Sequence, residues 1–305
     1  MGSPGRAIWA DFSDELALVT EAAGQSVVAL QANETHATSG VMWQQGVVVT
    51  ANHSAPQDAV TALLPGGKSA GARIKGRDPS TDLAIFTIES KDEPPAVRGD
   101  AGLLRVGHFV LALARTRRGN LTASSGIISG LMDGWQTWRG GHIDRFIRPD
   151  ITLYRGYSGG PLVNTKGEVV GMNTTGLRRG APIAVPTSTV TRVVDELLAK
   201  GHIAQPYLGV ALQAVSLPDD IIAKLKSEAH HGLLIVHLQN NGPAARAGLM
   251  LGDIVTEIAG KPLARLARLH GIFSEQRVGD SVTLSLVRSG EPKQISVTLG
   301  DRFEQ

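Results

Sequence analysis

The feature that most constrains this chain is a succession of short β-type runs separated by turn residues. SVVAL, GVMW, GVVVT, VTALL, ARIKG, LAIFTI, FVLALA, GIISG, EVVGMN and PIAVP follow one another at short intervals. Many alternate apolar with small or polar residues and are rich in β-branched side chains, which is the rhythm of an all-β fold. Glycine is frequent, at 36 residues, while aromatics make up 4%. Tight turns between short strands account for that balance better than a helical bundle does. Two helical segments interrupt the pattern. Ser13 is placed to cap a helix through DELALVTEAAG that ends at Gly24. In PTSTVTRVVDELLAKGHI, Thr187 or Ser188 is placed as the cap, apolar residues recur at Val190, Val193, Val194, Leu197 and Leu198, and Gly201 is the stop.

At 305 residues, with 42% hydrophobic and 19% charged, the chain has material for two domains. A second set of elements begins after Pro206, so the boundary falls between about residues 200 and 206. A net charge of +2 with no long Lys/Arg run gives no reason to expect nucleic acid as a partner. No apolar run approaches the roughly 18–20 residues that span a bilayer, and no export signal is visible at the N-terminus. The absence of cysteine excludes disulfides and thiolate chemistry. No metal and no cofactor is expected; the adjacent pair His230–His231 reads as part of a polar loop, and GGKS (Gly66 to Ser69) as a hairpin turn rather than a phosphate loop.

Three short motifs carry chemistry. GYSGGP sets Ser158 between Gly156 and the pair Gly159–Gly160, small residues that let a tight turn expose a hydroxyl. VVVTANHS places His53 just past a β-type run, and DPSTDLAIF places Asp82 directly before another. Each alone is an ordinary turn or loop residue. Together, in the order His, Asp, Ser and each at a strand margin, they supply the hydroxyl, imidazole and carboxylate that nucleophilic serine catalysis requires. The N–H groups of Gly156 and Ser158 would be the oxyanion donors.

TANH, DPSTDLAIF and GYSGGPLVNTKGEVVGMNT closely resemble the histidine, aspartate and serine motifs of trypsin-like proteases of the HtrA (Deg) group. The resemblance spans roughly Val19 to Lys200. GPAARAGLMLGDIVTEIAGKPL is similar to the central segment of a PDZ domain, and YLGV (Tyr207, Leu208, Gly209, Val210) to its carboxylate-binding loop. It implies a mostly β chain: a two-barrel trypsin-like protease domain over residues 10–202, then a small α+β PDZ domain over 206–301. It further implies an ATP-independent serine endopeptidase of unfolded or misfolded proteins, with His53 as base, Asp82 as its orienting carboxylate and Ser158 as nucleophile. The PDZ domain would bind peptide termini by strand addition, with a helix near Leu263 to Gln276 as the other groove wall. A homotrimer built on the N-terminal segment, with Trp9 and Phe12 as its aromatics, and a periplasmic or other extracytoplasmic location are implied as well. The competing expectation is a latent or inactive protease-like scaffold.

The chain departs from the group where Tyr157 stands in place of the usual asparagine, preceded by Tyr154 and Arg155. The ring has to point outward or fill a pocket, and either choice bears on the Arg155–Gly156 peptide, so the expectation is a resting oxyanion hole that is incomplete. Thr152 occupies the position where trypsin-like enzymes hold an aspartate for basic substrates. With Ile183 and Val185 of PIAVP it forms the candidate S1 set, apolar rather than basic in preference. Arg155, the stretch Arg115–Arg118 and the pair Arg178–Arg179 are candidates for a basic rim or a solvated loop.

Overall fold

The computed structural model describes residues 4–33, 36–90, 92–178, 180–225, 230–263, 272 and 276–302. The chain divides into two compact units, Met1–Ile203 and Ala204–Gln305.

The first unit opens with helix α1 (Pro4–Gly24). It starts nine residues earlier than Ser13, which lies inside it rather than capping it. Proline needs no N–H partner in a first turn, so Pro4 is a suitable start. Six strands then close into a barrel: β1 (Val27–Gln31), β2 (Ala37–Gln44), β3 (Val47–Ala51), β4 (Ala59–Leu63), β5 (Ser69–Asp78) and β6 (Leu83–Ile88), in the order β1-β2-β3-β6-β5-β4. The GGKS stretch is the turn of the β4–β5 hairpin, with Gly66 and Gly67 both at positive φ. A second closed barrel contains β7 (Phe109–Arg115), β8 (Leu121–Met132), β11 (Phe146–Asp150), β12 (Pro161–Asn164), β13 (Val169–Thr174) and β14 (Ile183–Pro186). A short ribbon of β9 (Trp135–Gln136) and β10 (His142–Ile143) precedes β11.

Alternation within the strands explains why so many are buried on both faces. In β3, Val48 points into the first barrel while Val47 and Val49 join a core shared with Leu111 and Leu113 of the second. In β7 the pattern repeats: Val110 and Ala112 fill the second barrel, Leu111 and Leu113 the shared core. Helix α2 (Thr187–Lys200) closes this core with Val190, Val193, Val194 and Leu197. Gly201 ends it in the left-handed conformation at φ 79°, as the sequence predicts. Its N-cap is Pro186 rather than Thr187 or Ser188, and the Thr187 hydroxyl donates to the Gly99 carbonyl instead.

In the second unit, β15 (Pro206–Tyr207) pairs with β22 (Gly300–Asp301). A sheet runs in the order β16 (Val210–Ser216), β17 (His231–Leu238), β18 (Ile254–Ile258), β20 (Ser281–Arg288), β21 (Glu291–Thr298), with β19 (Lys261–Pro262) paired to β18. Helices α3 (Asp219–Leu225) and α4 (Pro243–Arg246) accompany it. Leu233, Ile235, Val255, Leu284 and Val297 lie in its core. Strand β16 is at the sheet edge. The helix expected between Leu263 and Gln276 lies almost wholly outside the described residues.

Candidate active site

His53 and Asp82 come from the first barrel and Ser158 from the second. Asn52–Ser54 form a 3-10 turn where β3 ends, and the Asn52 N–H is held by the Asp82 carbonyl at 2.9 Å. Asp82 stands just before β6 at φ 60°, a left-handed conformation that aspartate tolerates better than most residues. This bend presents both carboxylate oxygens to one residue. Oδ1 accepts the His53 backbone N–H at 2.9 Å and Oδ2 faces Nδ1 at 2.7 Å. The Thr174 hydroxyl, from the end of β13, also donates to Oδ2. The Asp82 side chain is 6% exposed and that of His53 38%, so a buried carboxylate orients a ring open to solvent.

Residues 174–176 connect the barrels. Thr174 bonds Asp82, and Thr175 Oγ1 lies 3.4 Å from Ser158 Oγ. A Cβ on Gly176 would stand 2.6 Å from both His53 Nδ1 and Asp82 Oδ2, so only glycine lets this strand end lie against the pair. The strand end at 174–176 thus lies against both the His53–Asp82 pair and the Ser158 hydroxyl. Ser158 Oγ makes no hydrogen bond to His53 in this resting arrangement, and His53 Nε2 faces Ser54 Oγ at 2.9 Å.

The nucleophile segment is pinned from several sides. Gly159 N–H donates to the Asn173 carbonyl at 2.8 Å and Gly160 N–H to the Tyr157 carbonyl at 3.0 Å. Asn173 Nδ2 reaches the carbonyls of Gly160 and Pro161 at 3.2 and 2.8 Å. From the first barrel, Thr38 Oγ1 donates to the Ser158 carbonyl at 2.7 Å, and Ser39 gives its N–H and its hydroxyl to the Gly156 carbonyl at 3.0 and 2.7 Å. Sequence motifs do not reveal Thr38, Ser39, Asn173 or Thr174. Their roles depend on contacts between segments far apart in the chain.

Tyr154 to Tyr157 form a turn closed by a 3.1 Å bond from the Tyr157 N–H to the Tyr154 carbonyl, with Gly156 at φ 93°. A positive φ at the third residue is that of a type II turn, whereas a type I turn, with the central peptide flipped, needs φ near −90°. The Gly156 and Ser158 N–H groups have no acceptor among the described residues. Tyr157 takes the inward option. It is 6% exposed, packs in the second barrel core with Ile128, Ile147 and Ala184, and meets Tyr154 edge-on at 5.8 Å.

None of the three S1 candidates lines the cavity beside this turn. Thr152 is exposed, Ile183 is 1% and Val185 0% exposed, and Val185 packs in the shared core. A cavity of about 410 Å³ does adjoin the turn, but its walls are Tyr154 to Tyr157 with Ala37, Ala114 to Arg117 and Thr122. The basic rim is also altered. Arg115 is buried, donating to the carbonyls of Gly24, Val27 and Gly119, and its burial lowers its pKa from the ordinary guanidinium value. Arg178 stacks over the Phe146 ring at 5.5 Å, Arg155 is exposed, and Arg179 lies outside the described residues.

In the second unit Tyr207 bonds Gln239 Oε1 at 2.6 Å. The carbonyls of Leu208 and Gly209 accept the N–H groups of Ala244 and Gln239, both at 2.9 Å. Gly209 takes φ 78° and Val210 starts the edge strand. The N–H groups of Leu208 and Gly209 have no acceptor among the described residues. Among those residues there is also no group of three or more metal-ligating side chains, and no helix long and apolar enough to cross a membrane.

The comparisons agree with this architecture. Residues 38–172 match the model of the trypsin-like peptidase domain and residues 206–299 that of the PDZ domain. The chain is 34% identical over 280 residues to the serine protease Do-like HtrA of Lactobacillus helveticus, covering 86% of this chain and 68% of that one. It is 31% identical over 262 residues to the periplasmic serine endoprotease DegP of Escherichia coli K12, covering 84% of this chain and 54% of the relative, so it spans about half of that protein's length. Among solved structures, the serine endoprotease from Yersinia pestis is similar with a TM-score of 0.66 at 26% identity, over 93% of this chain and 96% of that one. The HtrA-type protease AlgW with tripeptide is similar with a TM-score of 0.64 at 26% identity, over 95% and 98%. The chain belongs to the HtrA/DegP family of trypsin-like serine proteases.

Proposed function

We propose that this chain is an ATP-independent serine endopeptidase that cleaves unfolded or misfolded proteins. The observation that carries the reading is the junction at residues 174–176, where one strand end touches Asp82, His53 and the Ser158 hydroxyl. Ser158 Oγ attacks the scissile carbonyl, His53 Nε2 takes its proton and later gives it to the leaving amine, and Asp82 holds the ring in the tautomer that allows this. The Gly156 and Ser158 N–H groups receive the developing oxyanion, and losing one such donor slows the reaction by about 10²–10³-fold. Thr152 in place of an aspartate supports an apolar rather than basic P1 preference.

In the second unit, the unengaged N–H groups of Leu208 and Gly209 beside edge strand β16 support capture of a peptide carboxylate by strand addition, with Tyr207 and Val210 flanking them. Exposed Ile8 and Trp9 on α1 support a homotrimer. The names of the DegP relatives support an extracytoplasmic location.

Digestion of unfolded casein without nucleotide, with cleavage sites mapped, tests the reading. Many cuts after aliphatic residues, abolished in S158A, are expected. One cut in one native target points to a dedicated processing protease. No cleavage under any peptide or temperature condition favours the alternative, a latent scaffold, for which the missing Ser158–His53 bond speaks.

A further inference from the structure

The turn that carries His53 carries a second hydroxyl. Ser54 Oγ lies 2.9 Å from His53 Nε2, within the same 3-10 turn. The other ring nitrogen, Nδ1, faces the Asp82 carboxylate at 2.7 Å. A carboxylate only accepts, so the proton of the neutral ring sits on Nδ1 and Nε2 presents its lone pair. Ser54 therefore donates to the very lone pair that has to receive the Ser158 proton. Ser158 Oγ, meanwhile, has Thr175 Oγ1 at 3.4 Å as its hydrogen-bond partner. A ring nitrogen has one in-plane lone pair, so the two serines compete for it.

We propose that Ser54 is a positioning residue that keeps His53 uncoupled from Ser158 at rest. Substrate has to displace the Ser54 hydroxyl from Nε2 before proton transfer can start. In the coupled state the Ser158 O–H donates to Nε2. As Oγ bonds to the carbonyl carbon, that proton moves onto Nε2, and the leaving amine takes it when the C–N bond breaks. The Ser54 proton is never transferred. This inference rests on the reading of Ser158 as nucleophile.

The test measures labelling of the full chain by a fluorophosphonate probe, with the labelled residue located by mass spectrometry, together with kcat and KM for casein cleavage. S54A, S54T and wild type are compared. A single hydrogen bond of this kind is worth about two- to tenfold in rate. S54A is expected to label Ser158 faster by about that factor and to raise kcat with KM unchanged, a split that a loosened fold does not produce. S54T, which keeps the hydroxyl, is expected to reverse the gain. Equal or slower labelling of Ser158 in S54A, or a gain that S54T retains, overturns the role of Ser54 alone. No labelling of Ser158 in wild type or S54A overturns the nucleophile assignment and this inference with it.

Discussion

Asp82 combines an uncommon backbone with three hydrogen bonds to its carboxylate, from the His53 N–H, His53 Nδ1 and the Thr174 hydroxyl. Replacing it by asparagine keeps the shape but offers an amide donor to Nδ1, which reverses the tautomer. D82N is expected to lower kcat by about 10⁴-fold with the fold intact, read by casein cleavage and circular dichroism. G176A tests the same pair from the opposite side. Its Cβ would stand 2.6 Å from Nδ1 and Oδ2, so a large loss of activity is expected at nearly unchanged thermal stability. At this scale the sequence was informative where chemistry is concentrated in a motif: His53 and Asp82 are hydrogen-bonded, and the adjacent Thr174 and Thr175 reach Asp82 and Ser158. It was silent on Ser39, Asn173 and Thr174, because a serine or threonine that bonds a distant backbone carries no local signature. Strand alternation turns Val185 into the shared core.

Among the elements, the β-strands were the most legible, since period-two alternation and β-branching are properties of a few adjacent residues. Helix ends were less so. The cap expected at Thr187 or Ser188 is made by Pro186, and the Thr187 hydroxyl is used to tie α2 to the Gly99 carbonyl. Arg115 shows why charge is a poor guide to surface. It is 8% exposed and joins the end of α1, the start of β1 and the β7–β8 turn through the carbonyls of Gly24, Val27 and Gly119. R115M preserves the apolar stem and removes the donors, leaving three carbonyls to find other partners. Loss of about 3 kcal/mol of unfolding free energy is expected, measured by urea denaturation. A change below about 0.5 kcal/mol contradicts this role for the arginine.

For the whole molecule, composition and a second set of elements after Pro206 indicated two units with a boundary between about 200 and 206, and contacts divide the chain between Ile203 and Ala204. Assembly is less accessible from sequence, since an exposed apolar side chain looks like a core residue until its surroundings are known. Ile8 is 67% and Trp9 73% exposed on α1, whereas Phe12 of the same helix packs edge-on against Phe109 at 5.5 Å. For the proposed trimer, wild type is expected to scatter light as a trimer and W9E as a monomer, with the tertiary fold, seen by near-ultraviolet circular dichroism, largely unchanged. A trimer that persists in W9E contradicts the assignment of this face. The central claim is that Ser158 is a nucleophile activated by His53 and Asp82. Fluorophosphonate labelling of the full chain, with the modified residue located by mass spectrometry, measures it directly. The adduct is expected on Ser158 and absent in both H53A and S158A; an adduct elsewhere, or one on Ser158 that persists at full rate in H53A, contradicts it.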